Sequence, residues 1–174
     1  MGIINFLKNK KNASEPNIED IERYKATFDS MNDAVMTLEP PDWKFTKGNF
    51  ATLRMFNCLT DGQFESLPPW ELSPEKQPDG QLSSDKAKEM IEKAMQEGSN
   101  FFEWTHKKYN GPEFPATVLL TKIKFGDREF LQAIVRDISK EKAVETQLRQ
   151  KAQETDSLKD QIKELEEKLA KMEK

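Results

Sequence analysis

The sequence predicts an α+β domain: a five-stranded antiparallel sheet with helices on one face, an N-terminal flanking helix and a long C-terminal coiled-coil helix. Three observations carry this. Two short strand-like segments precede a run of short helical segments, and three more strand-like segments follow it, joined by tight turns. The helical run is broken by Pro68, Pro69, Pro74 and Pro78, so its helices are short and pack on a sheet instead of forming a bundle. From Lys140 onward there is neither Pro nor Gly, and apolar residues recur in alternating steps of four and three.

Residues 1–17 read as a flexible arm, polar after an apolar start at Ile3, Ile4, Phe6 and Leu7. That start is too short for a signal-peptide core, and its lysines follow the apolar run where a leader needs them in front. Membrane contact is not expected. Asn17 caps a helix over Ile18 to Ser30, with Glu19 and Asp20 in the first turn and Ile18, Ile21, Tyr24, Phe28 and Met31 at helical spacing. Ala34 to Leu38 and Trp43 to Thr46 form a hairpin across the Pro40-Pro41-Asp42 turn. Asn49 opens a helix that ends between Asn57 and Gly62. Only helical turns fit between residues 63 and 82. Ser83 or Ser84 caps a helix that runs to Glu97 and stops at Gly98, with Ala87, Met90, Ile91 and Ala94 on one face. Strands over Phe101 to Tyr109, Pro115 to Phe125 and Glu129 to Asp137 are joined by Asn110-Gly111 and Gly126-Asp127, residues that tolerate positive φ.

In the C-terminal helix Leu148, Thr155, Ile162 and Leu169 share one core position of a heptad. Val144, Lys151, Leu158, Leu165 and Met172 share the other. A helix this polar elsewhere does not persist alone in water, so a parallel homodimer through Val144, Leu148, Leu158, Ile162, Leu165, Leu169 and Met172 is expected. The seam is weakest at Lys151 and Thr155. The domain organisation is therefore an arm over 1–17, the α+β domain with its flanking helix over 18–138, and a coiled coil over 139–174.

Composition excludes several function classes. Charged residues make up 33% of the chain, but both signs are interspersed and the net charge is only −4, so nucleic acid is not an expected partner. No apolar run approaches the roughly 20 residues of a membrane span. The single cysteine, Cys58, rules out an intrachain disulfide framework and a multi-cysteine metal site. One histidine, His106, far from that cysteine in sequence, offers no nucleophile and base pair to argue from, and there is no glycine-rich phosphate loop. Glu75 and Asp79 lie in the proline-rich turn, where carboxylates cap backbone N–H groups. No catalytic residue, metal ligand or cofactor is assigned, and a cytoplasmic protein is expected.

What remains is a pocket between helices and sheet. Leu53, Phe56, Trp70, Leu72, Met90 and Ile91 supply the helical side, and Trp104, Val118, Leu131 and Val135 the strand side, with Phe102, Leu120 and Ala133 beside them. These side chains either fill a core at native density or enclose an unknown small ligand. Leu119, Ile123 and Ile134 lie on the opposite strand face, which the helix over Ile18 to Ser30 of the same or a partner chain is expected to cover. At the end of the last strand, Arg136, Asp137 and Ser139 form a joint. Asp137 and Ser139 are able to cap the exiting helix, and Arg136, next to Asp137, offers a charge partner for the domain.

Four strings carry a resemblance to a known family. They are residues 28–35 (Phe-Asp-Ser-Met-Asn-Asp-Ala-Val), residues 72–80 (Leu-Ser-Pro-Glu-Lys-Gln-Pro-Asp-Gly), residues 102–106 (Phe-Glu-Trp-Thr-His) and residues 136–139 (Arg-Asp-Ile-Ser). Together they resemble a PAS domain, the sensory module of bacterial signalling proteins, over about Tyr24 to Ser139. The last string is similar to the family's Asp-Ile-Thr ending, with Ser139 in place of Thr. The resemblance implies a sheet whose helical face can enclose a pocket, dimerisation through flanking helices, and output through a C-terminal coiled coil to a protein partner in a signalling complex. It implies a non-enzymatic adaptor or, alternatively, a sensor of a small molecule or cofactor (flavin, haem or lipid-like) acting on a separate output protein. Haem-binding relatives ligate from the helical region, whereas His106 falls on a strand. Flavin photoreceptors of the superfamily place a cysteine in Asn-Cys-Arg-Phe-Leu. Here Asn57-Cys58-Leu59-Thr60 lacks the Arg and the Phe and comes too early in the domain, so Cys58 reads as a small buried hydrophobe.

Overall fold

Residues 17–65 and 67–172 are described by a computed structural model of the chain, and the arm expected over residues 1–16 lies outside them. The Asn17 side chain accepts the Asp20 N–H at 2.7 Å and so satisfies one of the open donors of helix α1, Ile18–Ser30. Strands β1, Ala34–Glu39, and β2, Lys44–Gly48, form the first hairpin. Trp43, expected in β2, stays in the turn: its φ is 53°, and its N–H bonds the Glu39 carbonyl at 2.9 Å. Helix α2 is Phe50–Phe56, closed by Asn57 in the left-handed region. The proline-rich stretch holds α3, Asp61–Glu65, and a 3-10 turn, Pro69–Leu72. Helix α4, Ser83–Glu97, ends at Gly98, whose φ of 89° favours glycine. Strands β3, Ser99–Lys107, β4, Glu113–Phe125, and β5, Arg128–Asp137, follow, then α5, Ser139–Met172.

The five strands pair antiparallel in the order β2-β1-β5-β4-β3. The first and last strands are thus neighbours at the centre, with Ala34 opposite Val135 and Leu38 opposite Leu131. Period-two alternation puts Met36, Leu38, Trp104, His106, Val118, Leu120, Leu131, Ala133 and Val135 among the buried residues. Phe56 and Phe64 complete the core, with Phe64 stacked on Phe45 at 4.4 Å between ring centres and 6.2 Å from Phe56.

One expectation is corrected, and of another the same-chain alternative is removed. Neither Ser83 nor Ser84 caps α4. Leu82 precedes the helix, Ser83 is buried in its first turn, and the Ser83 hydroxyl accepts a bond from the Gln77 amide at 2.8 Å. Within this chain, α1 does not cover the outer sheet face. It buries no side chain, leaves Ile18, Ile21 and Tyr24 exposed, and packs against α2, where the Asn49 amide donates to the Phe28 carbonyl at 3.2 Å. Leu119, Ile123 and Ile134 are half-buried, and Phe101 is exposed on its own strand.

Candidate functional site

A cavity of about 50 Å³ lies between α4 and the inner sheet face. Helix α4 contributes Ala87, Met90 and Ile91, and the 3-10 turn contributes Pro69. The first hairpin contributes Met36, Leu38 and Phe45. The other strands contribute Phe102, Trp104 and His106 from β3, Val118 and Leu120 from β4, and Ala133 and Val135 from β5. Of the ten side chains chosen from sequence, the structure brings Met90, Ile91, Trp104, Val118 and Val135 together here. The other five stand elsewhere. Phe56, Leu72 and Leu131 are 0% exposed and fill the core, while Leu53 and Trp70 pack half-buried against it. The Trp70 ring lies under the Lys88 ammonium, 5.7 Å from its centre, at a surface groove shared with Trp43. Met36, Leu38, Phe45, Pro69, Ala87 and His106 were missing from the sequence-based set. The β1 side chains join it only because β1 pairs with β5, a register that no local pattern encodes.

The cavity surface is wholly apolar, although His106 is among its lining residues. The His106 Nδ1 lies 3.2 Å from the Leu72 carbonyl, which only accepts, so Nδ1 carries the proton and Nε2 is a bare acceptor. Among the described residues, Nε2 is the one buried side-chain nitrogen or oxygen without a hydrogen-bond partner. Aromatic rings surround it: Phe56 edge-on at 5.1 Å, Phe114 stacked at 5.7 Å and Trp104 tilted at 6.4 Å. Burial pulls its pKa down from 6.5 to about 4, against the smaller opposing effect of the Leu72 bond, so the ring is neutral at pH 7.

Polar bonds tie the proline-rich stretch over this wall. β3 is an edge strand, so its outward backbone groups need partners. The buried Gln77 supplies them: its Oε1 accepts the Thr105 N–H at 2.8 Å, and its Nε2 donates to the Thr105 carbonyl at 3.1 Å. Ser73 accepts the Trp104 indole N–H at 3.0 Å. Among the described residues no group of three or more His, Cys, Asp or Glu side chains could hold a metal ion. None of their helices is long and apolar enough to cross a membrane.

No family model and no curated protein matches this sequence. Solved structures do match. A PAS domain from a two-component sensor histidine kinase is 20% identical, with a TM-score of 0.56, covering 68% of this chain and 96% of that one. A PAS domain from Colwellia psychrerythraea is 16% identical, with a TM-score of 0.57, covering 69% and 98%. An RNA-binding light-oxygen-voltage receptor is 14% identical, with a TM-score of 0.62, covering 82% of this chain and 40% of that one. The chain has the PAS fold. At these identities the likeness is one of fold alone.

Within the PAS fold, Cys58 is buried outside the cavity wall, and burial pushes its thiol pKa up, which disfavours the reactive thiolate. At the end of β5 the joint ties the exiting chain to the domain. Arg136 finds its charge partner in Asp33 of the domain, through Nε to Oδ1 at 3.0 Å and Nη2 to Oδ2 at 2.6 Å. This fork joins the entry to β1 with the exit from β5, and the Arg136 hydrogen bond holds the Asp33 carboxyl below its usual pKa. Asp137 is the capping group, accepting the Ser139 N–H at 2.8 Å, and Ser139 contributes that backbone donor. The start of α5 is also tied to the sheet by Ile138 N–H to the Pro115 carbonyl at 3.0 Å and by Lys142 to Glu103 at 3.0 Å.

Proposed function

We propose that the chain is a non-enzymatic, cytoplasmic PAS adaptor that forms a parallel homodimer through α5 and relays signals to, or scaffolds, a partner protein along that helix. One observation carries this reading. On a helix of 34 residues, the seven apolar seam side chains stand 55% (Val144) to 86% (Met172) exposed, with their predicted spacing intact. A stripe of that length left in water is unfavourable, and a second copy in register covers it. Light scattering on the eluting protein tests this. The chain is expected to run as a dimer at micromolar concentration, and Leu158→Lys with Leu165→Lys as a monomer whose domain remains folded. An unchanged mass in the double variant removes the seam as an interface.

In this reading Arg136, Asp137 and Ser139 pass strain in the sheet to α5, because the Asp33 fork and the Asp137 cap fix the angle at which the helix leaves. Asp137→Ala removes one cap bond, worth about 1 kcal/mol. The variant is expected to loosen the dimer and partner binding together. If neither changes, the joint is a passive spacer.

The apolar cavity supports a second reading, in which the domain senses a small molecule and acts on a separate output protein. The absorption spectrum of the purified protein, with mass spectrometry of an extract, separates the two. A bound small molecule places the cavity at the centre of the function, and an empty protein favours the adaptor.

A further inference from the structure

We infer that the β3 edge docks the same edge of a second copy of this chain, the two strands pairing antiparallel about Phe101. The inference goes beyond the α5 seam proposed above and uses that reading only to place the second copy.

The outward backbone groups of β3 have a fixed phase. In an antiparallel pair, residues bonded to the neighbouring strand alternate with residues whose N–H and C=O turn away from it. Three contacts identify which are which. The Gly98 carbonyl, one residue before β3, accepts the Lys122 N–H of β4 at 2.8 Å. Thr105 faces Pro115, which has no N–H to give. The outward N–H and C=O of Thr105 are met by the Gln77 amide, as a neighbouring strand would meet them. Ser99, Phe101 and Glu103 are in phase with Thr105, so their N–H and C=O also point outward. Among the described residues no hydrogen bond reaches those groups. All three residues are exposed, Phe101 by 66%.

This edge is also unguarded. Edge strands are ordinarily blunted by lysine, proline or a bulge. β2, at the other edge, has five residues, carries exposed Lys44 and Lys47, and pairs through a register shift. β3 has nine residues, pairs without a shift, and holds neither lysine nor proline before Lys107.

The edge is self-complementary. Centred on Phe101, antiparallel pairing sets Phe101 against Phe101 of the second copy and Ser99 against Glu103, so outward groups meet outward groups and no like charges face each other. The Phe101 side chain lies in the outer-face row of Leu119 and Ile134 on β4 and β5, and the second copy continues that apolar row. Shifted registers pair fewer residues. One brings Ser99 to Thr105, already held by Gln77, and the other brings Glu103 to Glu97 in α4. The second copy also lies on this side. α5 leaves β5 past β4 and then β3, through Ile138 N–H to the Pro115 carbonyl and Lys142 to Glu103. The helix that carries the seam thus departs toward the β3 edge, and a seam dimer holds two such edges at high effective concentration.

Amide hydrogen exchange on the full chain is the test, because the strand contains its own control. In the wild-type dimer the Phe101 and Glu103 amides are expected to exchange about tenfold more slowly than in Leu158→Lys with Leu165→Lys at the same micromolar concentration. The Asn100, Phe102 and Trp104 amides, bonded to β4, are expected to be slow in both. Phe101→Pro removes an N–H that the sheet does not use, so it is expected to fold and to free the Glu103 amide. Should it not fold, the wild-type comparison decides alone. If the two outward amides are equally fast in dimer and monomer, the edge pairing is overturned while the α5 seam stands. If they are equally slow in both, or Glu103 stays slow in a folded Phe101→Pro, their protection comes from within the chain and the pairing is again overturned. If the wild-type chain is itself a monomer, the seam reading falls, and the same amides are followed as the protein is concentrated into the millimolar range. Slowing there supports the edge pairing, and a rate independent of concentration overturns it.

Discussion

Replacing Asn49 by alanine is expected to lower the unfolding free energy by about 4 kcal/mol, through several buried groups left without partners. Asn49 is fully buried and every polar atom of its side chain is used. Its Oδ1 accepts from Val35 N at 3.1 Å, Thr52 N at 3.0 Å and the Thr52 hydroxyl at 2.9 Å. Its Nδ2 donates to the carbonyls of Phe28 at 3.2 Å and Asp33 at 3.0 Å. One amide thus joins the end of α1, the start of β1 and the first turn of α2. Alanine removes all five bonds, and Val35 N–H loses its partner inside the protein. Urea unfolding followed by circular dichroism reads the loss, with the slope against denaturant unchanged. Asn49→Asp separates two accounts. If Asn49 were only a helix cap, aspartate would serve as well. Because the two donor bonds also matter, and aspartate would bury a charge facing two carbonyls, that variant is expected to be destabilised too. A loss below about 1 kcal/mol in both variants would show that water takes over the site.

His106 is expected to make the domain lose stability as the pH falls from 6.5 to about 4. The folded-state pKa lies below the unfolded one, so between those values the unfolded chain binds more protons than the folded one. Stability therefore rises with pH across that window. At about 1.4 kcal/mol per pKa unit, the loss at its acid end is roughly 3 kcal/mol, and above pH 6.5 the effect is absent. The groups packed on the ring are Phe56, Trp104, Phe114 and the Leu72 carbonyl, none of which titrates here. Carboxylates titrate in the same range, among them Asp33, whose lowered pKa gives stability that is lost at acid pH. The measurement is therefore the difference between the wild-type protein and His106→Phe, which share those carboxylates. Parallel stability curves between pH 7 and 4 would show that the imidazole charges freely in the folded protein.

The order of elements was legible in the sequence because each carries its own punctuation. Asn17 and Asn49 open helices, Gly98 closes one, and Asn110-Gly111 and Gly126 turn the last three strands. The limits appear where tertiary contacts reassign a local signal. Ser83 looks like a cap and is claimed by Gln77. Trp43 looks like a strand residue and is held in the turn. Asn49 looked like a cap and is also a junction between three elements, because the Phe28 and Asp33 carbonyls arrive from distant positions. Half of the side chains selected for the pocket line the cavity, since periodicity identifies a buried face and cannot say where on it packing leaves space. Arg136 was readable as a charge partner for the domain, and which carboxylate it meets, Asp33, is set by the β1–β5 pairing that brings the two ends of the domain together.

The central pairing of β1 with β5 also has a mechanical consequence. The chain enters β1 at Ala34 and leaves β5 just beyond Val135, and these two residues face each other at one end of the ladder. A force pulling α1 and α5 apart therefore loads the rungs one at a time, beginning at Ala34 and Val135, like a zipper opened from its end. Loading the same ladder along the strands would strain every rung at once. The fork between Asp33 and Arg136 sits outside the first rung as its clasp, so a tug on the two helices meets that ion pair before it reaches the sheet.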